Sequence, residues 1–175
     1  SGTSYSENAV RIVKSGNNLF VAGTFTGKSE FLGLEVKAGD TIGSAAQLFN
    51  KQNIFILKTD INGNPIFIES VNSSISRFGG LRLDYNGTPW INGIFQDSTS
   101  IQDSTYYSIG GSDMFIAKIN EMSISKNIFH FGGNSLNLVE PGLGDRAHDL
   151  DFDKNSNSIY VTGAFSGSYN FSGLS

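Results

Sequence analysis

The stretch FVAGTF at residues 20–25 returns as WINGIF at 90–95 and as YVTGAF at 160–165. Each copy reads aromatic, Val or Ile, any residue, Gly, any residue, Phe. Consecutive copies start 70 residues apart, since 90 − 20 and 160 − 90 give the same interval. A fixed period of this length is typical of repeat architectures in which each repeat is one supersecondary unit. The stretch is therefore interpreted as the second strand of a repeated β-sheet unit.

The residues around each copy complete a predicted antiparallel sheet. A first strand precedes each copy, at AVRIV (9–13), GLRLD (80–84) and HDLDFD (148–153). Gly- and Asn-rich turns follow these strands and favour hairpins, because Gly and Asn adopt positive φ easily. Third strands are predicted at 53–60 and 113–120, fourth strands at 65–71 and 127–133, and one helical turn at 44–52.

The predicted fold is all-β: a β-propeller segment of about two and a half four-stranded antiparallel blades with a 70-residue period. The blades are predicted at 6–73, 74–134 and 145–175, the last with two strands, and the chain is expected to be a fragment of a longer one. Inner propeller strands are covered on both faces, so the motif aromatics and closing Phe residues should be buried. Each motif Gly should lie where a neighbouring blade or backbone leaves no room for a Cβ. These structural repeat residues are Phe20, Gly23, Phe25, Trp90, Gly93, Phe95, Tyr160, Gly163 and Phe165.

Composition excludes several classes of function. The net charge is −4 over 175 residues, so nucleic acid is not an expected partner. Cysteine is absent, which excludes disulfides, thiolate metal sites and a Cys nucleophile. No apolar run approaches the roughly 18 residues of a membrane span.

Three stretches resemble a known bacterial repeat. SIYVTGAFSG (158–167), GGSDMFIAKIN (110–120) and FHFGG (129–133) are similar to the SBBP-type β-propeller repeat. The first unit departs from that pattern, with KQNIFILK (51–58) in place of Gly-Gly-x-Asp-x-Phe and ESVNSS (69–74) in place of Phe-Gly-Gly. The resemblance implies a protein secreted by, or on the surface of, a Gram-negative bacterium, with type IX secretion as the export route. It also implies a scaffold or adhesive module and no catalytic residues.

One segment suggests a metal. DFDKNSN (151–157) places oxygen ligands at alternate positions, Asp151, Asp153, Asn155 and Asn157, the spacing that Ca²⁺ loops use. It lacks the Gly and Glu that complete such a loop, and a polar hairpin turn is the alternative interpretation. No other cofactor is predicted.

Other candidate residues lie in the links between second and third strands. Tyr106 and Tyr107, in a predicted loop, could stack on a sugar. Asp-Ser/Thr motifs that resemble bacterial O-glycosylation sites place acceptors at Thr41, Ser98 and Ser104, in links expected to face solvent. Lys58 and Lys118 recur in the third strands and are interpreted as outer-face or edge residues. His130 and His148 are interpreted as ordinary strand residues, and GLGDRA (142–147) as a loop rather than a dinucleotide-binding motif.

Three functional hypotheses follow. The leading one is a non-enzymatic exported or cell-surface propeller that acts as a scaffold or protein-interaction module, its partners being other modules or further blades. The second is a carbohydrate-binding adhesin that uses the two tyrosines to bind surface glycans. The third is part of a propeller enzyme whose active site lies in blades outside this sequence.

Overall fold

The fold was analysed in a computed structural model that describes residues 7–37, 52–102, 104–133, 145–156 and 158–167. Those residues form twelve β-strands and no helix, which confirms the all-β class. The predicted helical turn at 44–52 lies outside the described residues apart from Gln52. The strands are β1 (Glu7–Ser15), β2 (Asn18–Phe25), β3 (Lys28–Phe31), β4 (Leu34–Lys37), β5 (Asn53–Asp60), β6 (Pro65–Val71), β7 (Ser76–Leu83), β8 (Pro89–Ile101), β9 (Ser104–Ile119), β10 (Ile124–Gly132), β11 (Arg146–Asp153) and β12 (Ser158–Ala164).

The strands form three main antiparallel sheets and one small hairpin. Sheet 1 has the order β1-β2-β5-β6, sheet 2 the order β7-β8-β9-β10, and sheet 3 pairs β11 with β12. Strands β3 and β4 form a separate hairpin within the link between β2 and β5. Each sheet lies inside one of the predicted units, and the motif supplies the second strand of every sheet.

A β-bulge opposite the motif Gly is common to the three sheets. The register shifts between Ala9 and Arg11 in β1, and equivalent shifts occur in β7 and β11. A bulge turns one extra backbone unit toward the partner strand. A Cβ on Gly23, Gly93 or Gly163 would therefore lie within 3.0 Å of a carbonyl oxygen of the first strand.

The main core fills the space between sheets 1 and 2. Sheet 1 contributes Phe20, Ala22, Ile54, Ile56, Phe67 and Val71, and sheet 2 contributes Leu81, Ile91, Phe95, Ile101, Phe115, Ala117, Ile119 and Ile124. All of them are buried. The other face of sheet 1 is covered by the β3–β4 hairpin, whose Val36 packs with Phe25, Phe55 and Leu57.

Sheet 3 packs on the opposite face of sheet 2 through fewer apolar and more polar contacts. Leu150 is buried, and the rings of Phe152 and Trp90 lie 5.8 Å apart. Arg82 forms an ion pair with Asp149, whose backbone carbonyl accepts a 3.3 Å hydrogen bond from the Asn92 amide.

Polar side chains also connect the chain where it passes from one sheet to the next. After sheet 1, the Ser73 and Ser76 hydroxyls lie 2.8 Å apart. After sheet 2, the buried Asp145 carboxylate accepts 3.0 Å hydrogen bonds from the Gly133 and Ser166 amides. Serine hydroxyls therefore connect the chain between sheets 1 and 2, and one of them, Ser73, belongs to the stretch that departs from the repeat pattern. The Asp145 carboxylate has this role between sheets 2 and 3.

Three sequence predictions are wrong in this fold. The link at 96–112 was predicted as a loop, but β8 and β9 extend into it, and Ser98–Ile101 pairs with Ser104–Tyr107. Lys58, predicted on an outer face, is only 6% exposed. Tyr160 and Phe165 in the third motif copy, predicted to be buried, are exposed. Tyr160 lies on the outer face of sheet 3, which no described sheet covers, whereas Phe165 follows the end of β12, with its ring 6.5 Å from that of Phe131 in sheet 2.

Candidate functional site

Each sheet has two faces that the repeat register distinguishes. The leading face, directed toward the preceding sheet, carries Ile12, Leu81 and Leu150, which pair across the strands with the second residue of each motif copy. The trailing face, directed toward the following sheet, carries the motif aromatics Phe20, Trp90 and Tyr160. Equivalent residues can therefore be compared from sheet to sheet.

Burial of the leading-face aliphatic residue depends on the sheet in front of it. Leu81 is 0% exposed against sheet 1, and Leu150 is 2% exposed against sheet 2. Ile12 occupies the same register in sheet 1 but is 61% exposed, and the adjacent Val10 is also exposed. The β3–β4 hairpin covers the β2 and β5 part of this face and leaves the β1 part open.

The trailing face has the complementary gradient. Phe20 is buried under sheet 2, and Trp90 is half-buried, with its Nε1 donating to Asp84 at 3.1 Å and its ring beside Phe152. Tyr160 is 59% exposed, and Asp151, its cross-strand partner, is exposed as well. Among the described residues, two surfaces therefore lack the sheet-to-sheet contact that the other sheets make at the same repeat positions. They are the trailing face of sheet 3 and the β1 part of the leading face of sheet 1.

The two tyrosines do not form a common platform. Both lie in β9, where Tyr106 pairs with Thr99 and Tyr107 with Ser98, so their side chains point to opposite faces. Tyr106 packs on the core, its ring 5.7 Å from that of His130. Tyr107 is 70% exposed. Sugar stacking by the pair together is therefore not supported, and glycan binding through Tyr107 stays a prediction for a glycan array.

The O-glycosylation acceptors fall on the same β8–β9 extension. Ser98 and Ser104 are half-buried in paired strand rather than in a solvent-facing loop, and Thr41 lies outside the described residues. Asp97, beside Ser98, has a φ of 63° at the point where the register shifts. Modification at these positions stays a prediction, which an intact-mass measurement on native protein would test.

The candidate Ca²⁺ segment forms a hairpin turn that is stabilised by hydrogen bonds to Asp153. Asp153 accepts a 2.9 Å hydrogen bond from the Asn155 amide and a 2.6 Å bond from the Ser156 hydroxyl. These hydrogen bonds lower the pKa of the Asp153 carboxyl below its ordinary value. Asp60 and Asp84 accept turn amides in the same way at the ends of their strands.

This arrangement favours the polar-turn interpretation of the segment. Asn157 lies outside the described residues, and the described part of the chain holds no cluster of three or more acidic or histidine side chains with metal-site geometry. Ca²⁺ binding stays a prediction, which melting with and without added Ca²⁺ would test.

Two further acidic residues lie beside the main core, the buried Asp113 in β9 and the half-buried Glu69 in β6. Asp113 is fully buried, accepts the Ile109 amide at 2.8 Å and lies 3.2 Å from His130 Nδ1. Burial raises the pKa of the Asp113 carboxyl, and these two contacts oppose the shift. Burial likewise raises the pKa of Glu69, which accepts the Ile124 amide at 2.7 Å.

Lys58 is the residue that sequence reasoning missed. It follows the buried core residues of β5 and pairs with Phe20. The Phe-Ile-x-Lys pattern does not indicate burial, because Lys118 has the same pattern and is exposed.

Comparison with protein-family models and with curated proteins gives no match. No helix in the described part of the chain is long and apolar enough to span a membrane.

Proposed function

We propose that this chain is a segment of a β-propeller that acts as a non-enzymatic scaffold or protein-interaction module of an exported or cell-surface protein. The observation that carries the proposal is the change in exposure of one repeated residue, from Ile12 at 61% to Leu81 at 0% and Leu150 at 2%. Sheets 2 and 3 each bury this residue against the sheet before them, whereas in sheet 1 no described sheet stands before Ile12. A stack with this property extends by adding sheets of the same kind, which is how propellers and other repeat proteins grow.

The trailing face of sheet 3 is the surface that would take the next blade. Tyr160 stands there in the place that Phe20 fills under sheet 2, and within the described residues β12 pairs only with β11. Sheets with uncovered apolar faces and unpaired edges tend to associate with other chains. The occupant proposed for this face is another four-stranded sheet of the same repeat, whose first strand presents an aliphatic residue equivalent to Leu81.

Export and surface location rest on the resemblance to the SBBP-type repeat and on its Gram-negative setting. The polar, half-exposed β8–β9 extension would present partner-binding residues, since function in repeat proteins is often carried by segments that vary between repeats.

Site-specific photo-crosslinking in the full-length natural chain tests this proposal. A photoreactive benzoylphenylalanine replaces Tyr160, and in a matched control it replaces Tyr107, which is also exposed but lies on the β8–β9 extension. The proposal expects position 160, but not position 107, to crosslink to a first strand with the repeat pattern. Crosslinks from position 160 that are absent, or that match those from position 107, would contradict it.

A further inference from the structure

Lys58 places a buried ammonium group between sheets 1 and 2. The residue is 6% exposed, and its Nζ donates a 2.6 Å hydrogen bond to the backbone carbonyl of Glu121. The same Nζ lies 5.5 Å from the Phe20 ring centroid and 5.9 Å from that of Phe67. No carboxylate of the described residues forms an ion pair with it.

This ammonium group borders an open cleft of about 390 Å³ at the turn end of the two sheets. One wall comes from Ser15 and Asn18 around the β1–β2 turn, and another from Thr88 and Pro89 at the start of β8. The end of β9 contributes Asn120 to the remaining wall. The volume is in the range of small-ligand sites, which are typically about 300–1,000 Å³.

A buried ammonium group is unfavourable unless it is paired. A lysine carries three N–H donors, and among the described residues Lys58 uses one of them, on a neutral carbonyl, with two ring faces beside it. An anion in the cleft would supply the missing negative charge. Amide and hydroxyl groups of Asn18, Thr88 and Asn120 line the same space and could bind ligand hydroxyls.

Lys118 and Glu121 also line the cleft, so that with Lys58 the lining holds two positive charges and one negative charge. A monoanion balances this net positive charge, whereas a dianion such as phosphate exceeds it, so a monoanion is favoured. We propose that this cleft binds a small monoanionic hydroxy-carboxylate of the sugar-acid type, with its carboxylate on Lys58 and its hydroxyls on the polar walls. This site does not depend on further blades, because sheets 1 and 2 build it completely.

The test is a titration of the whole chain at low ionic strength, followed by NMR shifts and by calorimetry. The probes are glucuronate, acetate as a carboxylate without hydroxyls, and glucose as a neutral sugar. Saturable binding of glucuronate is expected, with weaker binding of acetate and none of glucose. Glucose binding as tightly as glucuronate would overturn the proposal, and acetate binding as tightly would overturn its sugar-acid part.

Variants identify the residue responsible. Lys58→Met keeps the apolar stem and removes the charge, and it should weaken glucuronate binding by about tenfold or more, the effect of losing one hydrogen bond to a charged group. Lys14→Met, at an exposed lysine outside the cleft lining, is the control and should leave binding unchanged. Equal affinity in the Lys58 variant and wild type would overturn the proposal.

Glu121→Gln gives a second readout that leaves Lys58 intact. Removing the repulsive charge at the cleft should tighten glucuronate binding by up to about fivefold and leave glucose unaffected. Weaker glucuronate binding in this variant would contradict the assigned role of Glu121 and, with it, the preference for a monoanion.

Discussion

The two interfaces between sheets use the same repeat positions with different chemistry. Between sheets 1 and 2 the centre is apolar, with Ala22 and Ile54 facing the second sheet. Between sheets 2 and 3 the position of Ala22 is taken by Asn92, whose amide bonds to the carbonyl of Asp149. The repeat thus fixes where a side chain lies, while the residue type at each interface decides whether packing or polar contacts hold the sheets together.

The apolar interface should respond most strongly to loss of volume. Phe115 is fully buried in the main core, where its ring packs beside that of Phe95. Phe115→Ala removes a core ring and should lower the free energy of unfolding by about 3–5 kcal/mol. Denaturant unfolding followed by fluorescence measures the change. Phe129→Ala, at an exposed ring on the neighbouring strand β10, is the matched control and should change stability by less than about 1 kcal/mol.

Adding a methyl group at a position of the same interface that has no room for it should have the next largest effect. A Cβ on Gly93 would lie 2.6 Å from the Arg77 carbonyl oxygen, 2.8 Å from Ile54 Cδ1 and 2.9 Å from Phe115 Cε1. Gly93→Ala should therefore destabilise the protein by about 1–3 kcal/mol through overpacking.

Gly163→Ala sharpens this comparison, because a Cβ there would lie closest to the Arg146 carbonyl oxygen of β11, and its closest atom in sheet 2 is the flexible tip of Met114 at 2.5 Å rather than a core ring. Its effect should be confined to sheet 3, and hydrogen exchange would show faster exchange in β11 and β12 only. Faster exchange throughout sheets 1 and 2 in this variant would contradict the separation of the two interfaces.

The strands themselves could be predicted because their signals are local. Gly and Asn turns mark the hairpins, and strands β5 and β6 were predicted at their observed bounds. The β3–β4 hairpin was missed because it falls in the link between the second and third strands, which differs in length and sequence from the corresponding link at 96–112 in the second unit. Its signal was present, since Phe31, Leu34 and Val36 alternate with polar residues around a Leu-Gly turn, where Leu32 and Gly33 both have positive φ.

The properties of the candidate sites could not be predicted because they depend on neighbouring sheets. Tyr160 and Phe20 occupy the same place in the motif, yet one is exposed and the other is buried. Lys58 and Lys118 share a pattern and differ in the same way. The β8–β9 extension was read as a loop because its Ser- and Thr-rich sequence resembles one, although Thr, Tyr and Ile also favour strands.

The polar interface should depend on salt where the apolar one does not. Arg82 and Asp149 form a half-exposed ion pair between sheets 2 and 3. Asp149→Asn should lower stability by up to about 1 kcal/mol, and the loss should shrink at high salt because salt screens the wild-type pair. Thermal melts at low and high NaCl measure this difference. The control is Glu35→Gln in the β3–β4 hairpin, which removes a more exposed pair with Lys28 and should have a smaller effect on the melting of sheets 2 and 3.

The smallest expected effect is a pH dependence at Asp113, whose equivalent in sheet 1 is Asn53. Each residue pairs with the closing Phe of its motif, and each side chain accepts a backbone amide, from Ile109 and Ser73 respectively. Burial raises the pKa of Asp113 in the folded state, so its favourable contribution is present at low pH and is lost as pH rises through the folded pKa.

Asp113→Asn places at position 113 the residue type of Asn53, its equivalent in sheet 1, and removes the titrating carboxyl group. The difference in unfolding free energy, variant minus wild type, should therefore become more positive as pH rises from about 4 toward 7. His130 faces the carboxylate at 3.2 Å, so both proteins are compared in a His130→Gln background, and Glu69 cancels because it is common to both. A difference that is constant with pH, or that falls as pH rises, would contradict the raised pKa of Asp113.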